Sequence, residues 1–285
     1  MTARLRRALV CTPEDAGWAK PELAGEWRAL GYEAAPSASA AAEEHALLRR
    51  ALADAGVEVV GLGASPRHHL DAVYTHDPSI VTDAGAVILR MGKSARAPEP
   101  GTHAAFYRSS GIPVLGTIRE PGTVEGGDLV WLDDATLLAG RGYRTNAAGL
   151  EQLRAILAPS GVEVIAAPLP HGRGPESCLH LMSLMSLLDP ETAVVDLEWL
   201  AVPTLEMLRG RGMRLLPIDP RERDALACNV LSLDGRSLLA MEGSPVTQAR
   251  LRDAGFDVRT FPGRELGMKG GGGPTCLTRP LLRAD

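Results

Sequence analysis

The chain has 285 residues, 45% hydrophobic and 23% charged, with a net charge of −5. That is enough for one large domain with a real core, in a composition ordinary for a soluble globular protein. It excludes the basic stripe of a nucleic-acid binder, and the basic start MTARLRRALV is followed by too short an apolar stretch for a signal peptide or a membrane span.

In chain order, RALVCTP reads as a strand, SASAAAEE at 37–44 as a helix entry, EEHALLRRALADAG as the helix and VEVVGLG as a second strand. The next unit runs SIVTDAGAVILRMG, EPGTHAAFYRSSG, IPVLGTI. From Leu129 comes LVWLDDATLLAG, then TNAAGLEQLRAIL and GVEVIAAPL. A further unit is LMSLLDPETAVVDL, VPTLEMLRGRG and MRLLPID, and the last is NVLSLDGRSLLAMEG, SPVTQARLRDAG and FDVRTFPG. In each, two apolar strands flank an Asp-containing turn, a helix follows, and a third strand is introduced by Gly, which predicts ββαβ. Leu150, Leu153, Ile156 and Leu157 carry the helical spacing, and a Gly after each helix suits a left-handed cap. Units of about 50 residues cannot each bury an apolar face alone. Five of them, one split or permuted with both termini in it, predict a closed ring formed by residues 1–285 as a single domain.

The unusual polar residues share a place in the repeat, a few residues upstream of each turn. Asp71 and Asp77 precede Asp83; Glu125 and Asp128 precede Asp133; His180 precedes Asp189; Asn229 precedes Asp234; Cys276 falls where the ring closes onto its first module. Equivalent positions lie at equal distance from the axis of a ring, so these groups should converge in one concave site. Cys276 sits in KGGGGPTCLTRP (269–280). Four successive glycines support neither helix nor strand, permit close backbone approach, and offer N–H groups to a thiolate or ligand. The bland alternative is a flexible tail with an inert cysteine. For His180 in CLHLMSLMSLLD the alternative is a core histidine, and for VEGGD it is an exposed loop.

Cys11 and Cys228 read as small buried hydrophobes. No two of the four cysteines form a CxxC pair, so they are expected to be free thiols in the cytoplasm. His68 and His69 read as a surface loop. The histidines show no HxH or HxxxH spacing, and neither metal nor cofactor is expected.

These residues resemble the guanidine-modifying superfamily of the pentein fold, and within it the dimethylarginine dimethylaminohydrolase group. The carriers are DAVYTHDP (71–78), EGGD (125–128), GRGYRTN (140–146), HL (180–181) and GGGGPTC (270–276), spread through essentially the whole chain. The resemblance implies an α/β fold, a five-bladed pseudo-symmetric propeller. It implies catalytic roles for Cys276, His180 and Glu125, a guanidinium grip from Asp77, and contact of Asp71 with the amino-acid end of the substrate. Arg96 in KSARAPE and Arg144 in GYRTN match the two arginines that hold a substrate carboxylate; a solvated surface charge is the alternative for both. Asp128 is a further candidate for substrate contact or for orienting His180.

Two departures bear on substrate. His76 stands where relatives carry an acidic or basic residue. Met182 stands where arginine deiminases carry a second guanidinium-binding Asp, which favours an N-substituted guanidine. The segment TPEDAGWAKP differs from relatives and is expected to act as a lid that shapes substrate choice. The implied reaction is cysteine-dependent hydrolysis of N-methylated arginine to citrulline and methylamine or dimethylamine, through a covalent S-alkylthiouronium. Alternatives are arginine deimination, dihydrolysis or amidino transfer, and, in another class, a non-catalytic pentein binding module. The expected partner is a small guanidino amino acid, with no nucleic acid and no membrane, for a monomer or homo-dimer.

Overall fold

Short apolar runs become strands and three- and four-spaced apolar runs become helices throughout. The computed structural model describes residues 2–23 and 25–284. It opens with β1 (Leu5–Val10), one helical turn α1 (Glu26–Ala29), the long helix α2 (Ala38–Asp54) and β2 (Glu58–Gly61). The second module is β3 (Ser79–Thr82), β4 (Gly85–Ile88), α3 (Glu99–Ser109) and β5 (Val114–Thr117). The third is β6 (Leu129–Trp131), β7 (Thr136–Arg141), α4 (Ala147–Leu157) and β8 (Glu163–Pro168). The fourth is β9 (Met185–Leu187), β10 (Thr192–Val195), α5 (Val202–Gly210) and β11 (Arg214–Pro217). The fifth is β12 (Leu231–Ser232), β13 (Ser237–Met241), α6 (Pro245–Asp253) and β14 (Asp257–Phe261), and the chain ends in β15 (Arg279–Arg283).

The strands form five three-stranded sheets. In each, the middle strand pairs antiparallel with one neighbour and parallel with the other. The split module is completed by β15, which pairs antiparallel with β1 through Leu9↔Arg279 and Leu5↔Arg283. The predicted closure of the chain on itself is therefore made by its last strand, an element that the sequence pattern alone did not delimit.

Local chemistry explains why the repeat holds. Asp133, Asp189 and Asp234 each accept a backbone N–H two residues on, at 2.9, 2.8 and 3.0 Å, the side-chain turn that lets the first two strands of a module fold back. Gly56, Gly111, Gly161, Gly212 and Gly255 follow the five module helices with φ between +69° and +103°, the left-handed cap expected from sequence. Ser37 caps α2 by accepting from the Ala40 N–H at 3.3 Å, and Asn146 caps α4 by accepting from Gly149 at 2.8 Å. Leu48 and Leu52 of α2, and Leu150, Leu153 and Leu157 of α4, are buried against their sheets, each contributing roughly 1.5–3 kcal/mol on full burial.

One expectation fails. His68 and His69 are buried, with His68 Nδ1 3.1 Å from the Asp15 carbonyl oxygen and His69 Nε2 3.4 Å from Glu99 Oε1. TPEDAGWAKP packs on the body: Ala16 and Trp18 are buried, and the Trp18 indole donates to the Leu70 carbonyl at 3.0 Å. An indole with its N–H satisfied fixes the segment in place. No helix among the described residues is long and apolar enough to cross a membrane.

A short helical turn precedes the first strand of four modules: Leu70–Val73, Gly126–Asp128, Leu181–Ser183 and Pro220–Ala225. A wider π-turn, Arg264–Met268, leads to the glycine run before β15. These entries carry the polar residues of the repeat to one end of the ring.

Candidate active site

A cavity of about 40 Å³ opens at that end, lined by residues that include Asp71, Asp77, Lys93, Arg96, Arg144, Cys178, His180 and Cys276. Seven of the eight sequence-expected site residues therefore line this cavity or bond directly to a group that does; Asp128 lies behind it.

His180 is the best-defined centre. Its Nε2 lies 2.7 Å from Glu125 Oε2, and its backbone N–H donates to Ser183 Oγ at 3.1 Å. The glycines of EGGD make this possible. A Cβ on Gly127 would come within 2.4 Å of the imidazole, and one on Gly126 within 2.1 Å of the His76 carbonyl oxygen. Glu125 is wholly buried and its acceptor sites are filled: Oε1 takes the Gly92 and Lys93 N–H groups, both at 2.9 Å, and Oε2 takes His180 and, at 3.2 Å, Arg144. A carboxylate has about four such sites, so Glu125 is placed to orient His180 and has no capacity left for a ligand in this arrangement.

Asp128 departs from the expectation of substrate contact. Its Oδ1 accepts the Leu181 N–H at 3.0 Å and its Oδ2 the Thr145 hydroxyl at 2.6 Å, and it is wholly buried. It pins the backbone beside His180, and neither of its oxygens meets the imidazole. Arg96 departs as well. It is 3% exposed, which removes the surface-charge alternative, and its guanidinium is committed inward. It donates to Asp77 Oδ2 at 2.6 Å, to both Glu99 oxygens at 2.9 and 2.8 Å, and to the Tyr74 carbonyl at 3.1 Å. Asp77 keeps unfilled lone pairs, since each oxygen has one partner, Arg96 or the Gly127 N–H at 2.9 Å. Asp71 is paired with Lys93 Nζ at 2.6 Å, and that ammonium also donates to the Leu30 carbonyl at 2.5 Å. Arg144, also buried, lies against Glu125.

Cys276 is 7% exposed and accepts a hydrogen bond at Sγ from Asn229 Nδ2 at 3.1 Å. Asn229 is in turn fixed by the Thr275 N–H and hydroxyl, at 3.0 and 2.6 Å. The glycine run permits this close approach: a Cβ on Gly273 would lie 2.6 Å from Asn229, and one on Gly272 2.5 Å from the Tyr74 ring. Gly271 has φ +80°.

Burial and the Asp77 charge push the Cys276 thiol up to about 11, against the lowering influence of His180 and Asn229. Burial would also lower the His180 pKa, but Cys178, Asp128 and Asp77 outweigh it and raise the imidazolium well above its ordinary range. Asp77, despite burial, is held well below the usual carboxylate range by Arg96 and His180. Cys11 and Cys228 are buried and their thiols are raised by that burial, as expected of inert cysteines.

The sequence reading missed two groups. Cys178 is exposed, lines the cavity, and places Sγ 3.7 Å from His180 Nδ1; its position two residues before His180 in an extended stretch was the available signal. Lys93 lies in the same segment as Arg96 and outside the repeated position, so the repeat carries no signal for it. Asp77, Glu125 and His180 also bring ligand atoms within 4.8 Å of one another, but with Glu125 saturated, Asp77 is the member of the three that keeps acceptor capacity for a cation.

Five ββαβ modules closed into a ring, with cysteine, histidine and carboxylates around one end of the axis, define a pentein. A family model described as arginine deiminase matches residues 70–208 and 198–283, and the chain belongs to that family. A protein of Streptomyces coelicolor named N(G),N(G)-dimethylarginine dimethylaminohydrolase is 36% identical over 188 residues, which is 66% of this chain and 66%, just under two thirds, of that protein. Among solved structures, DDAH from Pseudomonas aeruginosa, a cysteine-to-serine variant complexed with citrulline, superposes with a TM-score of 0.78 at 22% identity, covering 97% of this chain and 99% of that one. The product-bound N-terminal domain of ArgZ, an arginine dihydrolase from cyanobacteria, gives 0.80 at 21% identity over 97% of each chain. At those identities the likeness is one of fold.

Proposed function

We propose that the protein hydrolyses a substituted guanidinium, with N-methylated arginine as substrate, using Cys276 as nucleophile and His180 as acid and base. The observation that carries this reading is the division of labour around the cavity. Asp77 has acceptor capacity for a cation, Cys276 waits as a thiol held by Asn229, and His180 is a protonated acid anchored by Glu125. The similarity to the Streptomyces protein supports the choice of substrate, as does Met182, which lines the small recess beside His180 and Cys276 and brings no charge to it.

A guanidinium bound to Asp77 by charge-assisted hydrogen bonds offsets the negative field that keeps the Cys276 thiol protonated. The thiol then loses its proton to solvent water, and the thiolate attacks the central guanidinium carbon. The C–N bond to the leaving amine breaks as His180 delivers its proton to that nitrogen. Neutral His180 next takes a proton from water, which attacks the S-alkylthiouronium carbon; the C–S bond breaks, and the hydroxyl proton of the departing ureido group passes to the sulfur, leaving a ureido product, the thiol and protonated His180. Lys93, Asp71 and Arg144 offer opposite charges to the two ends of an α-amino acid once their own pairings open. Arg96 serves behind Asp77, fixing its carboxylate.

The test is a product assay in chelator with N,N-dimethylarginine, monomethylarginine and arginine offered separately. Citrulline with dimethylamine or methylamine, absent in Cys276→Ser, is the expected result. Ammonia from arginine in place of methylamines would move the protein to deimination, or to dihydrolysis if ornithine appears. Turnover that needs no Cys276 would remove the proposal.

A further inference from the structure

At the other end of the ring a second cavity, of about 120 Å³, opens among the first strands of the modules. Its wall is largely apolar, with Trp131, Leu187 and Leu281 from three modules facing it. Met182 lies both in this wall and in a small recess beside Cys276, and so separates the two cavities.

Two arginines of β15, Arg279 and Arg283, are the cations of this wall, and neither is ion-paired among the described residues. Arg279 is 4% exposed; one terminal nitrogen donates to the His76 carbonyl at 2.6 Å, while its buried Nε has no partner. Arg283, nearer the mouth, donates only to the carbonyls of Ala3 and Ser232, both at 2.8 Å. The neighbouring carboxylate whose field reaches Arg279 is Asp77, and its oxygens are turned to Arg96 and Gly127. His76, also in the wall, adds no charge at neutral pH, because burial and the nearby arginine keep its pKa down at about 3. Burying a cation without a counter-charge is costly, and a ligand anion is the group that would relieve it. The lip carries the exposed hairpin carboxylate Asp83; lying in water, it is strongly screened and opposes a monoanion weakly.

We propose that this axial cavity is a binding site for a small organic monocarboxylate, its apolar body against Trp131, Leu187 and Leu281 and its carboxylate on Arg279. The apolar wall selects the body, and the unpaired guanidinium selects the charge. The site is separate from the proposed reaction and does not depend on it.

Isothermal titration with octanoate, octan-1-ol and octylammonium tests this directly. Octanoate should bind saturably, at least ten-fold tighter than octan-1-ol, with no saturable binding of octylammonium. Arg279→Gln should weaken octanoate at least ten-fold and leave octan-1-ol unchanged. Leu281→Trp, which fills the cavity and keeps the arginine, should abolish binding of both. Equal affinity for octanoate and octan-1-ol, an unaffected Leu281→Trp, or no saturable binding of octanoate would each overturn the proposal. Should Arg279→Gln fail to fold, the octan-1-ol and Leu281→Trp arms still decide it.

Discussion

His180 faces different groups with its two ring nitrogens: Glu125 at Nε2 and the exposed thiol of Cys178 at Nδ1. Proximity to His180 and Arg144 lowers the Cys178 pKa against the cost of desolvation, whereas burial raises that of Cys276. Limited alkylation with iodoacetamide at about neutral pH is therefore expected to label Cys178 before Cys276, read by peptide mass. In Cys178→Ala the His180 imidazole should titrate at lower pH than in the unmutated protein, followed by NMR of labelled histidine; an unchanged titration would show that the carboxylates alone hold its proton.

The same pair fixes a pH window for stability. Burial would raise Glu125, but the His180 hydrogen bond and charge, with Arg144, lower it from 4.5 to about 2. Its contribution is thus complete above 4.5 and lost as pH falls toward about 2. His180 is raised, so its contribution is complete below its ordinary 6.5 and lost as pH climbs through its higher folded value. Both are in place between 4.5 and 6.5. His180→Gln should be destabilised most in that interval, by roughly 3–5 kcal/mol for a broken buried pair, with a gap that narrows in alkali; urea unfolding at several pH values measures it.

At the scale of elements, the short turns before each first strand decide where chemistry sits. The turn Gly126–Asp128 works because it has no side chain where the imidazole must lie. Gly127→Ala would force His180 aside, and a displacement of about 1 Å at a reacting group costs on the order of 100-fold. The expected outcome is a fall in kcat of that size together with a lowered unfolding midpoint, because the displaced imidazole loses part of its pairing with Glu125; a folded variant with unchanged kcat would separate His180 from the chemistry. Here the sequence was informative for a physical reason. Register within a repeat dictates the height of a residue along the axis, so Cys276, His180, Glu125 and Asp77 could be grouped without knowing any contact. Register is silent on which charges pair across modules. That is why Arg96 read as a ligand for a carboxylate although its guanidinium is committed to Asp77 and Glu99, and why Asp128 read as a contact residue although it holds backbone. Lys93 and Cys178 escaped because neither belongs to the repeated position.

For the whole molecule, the period of apolar strands, Asp turns and Gly caps was enough to read five modules and a closed ring. The sealing strand was hidden because LTRPLLR is short, half-polar and outside the repeat order. Ring closure gives β15 a disproportionate role: it completes the sheet of β1 and supplies Arg279, which bonds to the His76 carbonyl next to Asp77. Deleting residues 279–285 should therefore remove cooperative unfolding of the whole chain, not merely fray its end, as circular dichroism during heating would show; a truncated protein with a sharp, little-shifted transition would contradict closure as the organising feature.

On the proposed mechanism, Cys276 carries the substrate carbon during turnover. Acid-quenching the protein during turnover of N,N-dimethylarginine and mapping the peptides by mass tests it most directly. An S-alkylthiouronium adduct is expected on the peptide containing Cys276, absent in Cys276→Ser and retained in Cys178→Ser. Product formed with no adduct on Cys276 and undiminished by Cys276→Ser, or an adduct found on Cys178 instead, would contradict it.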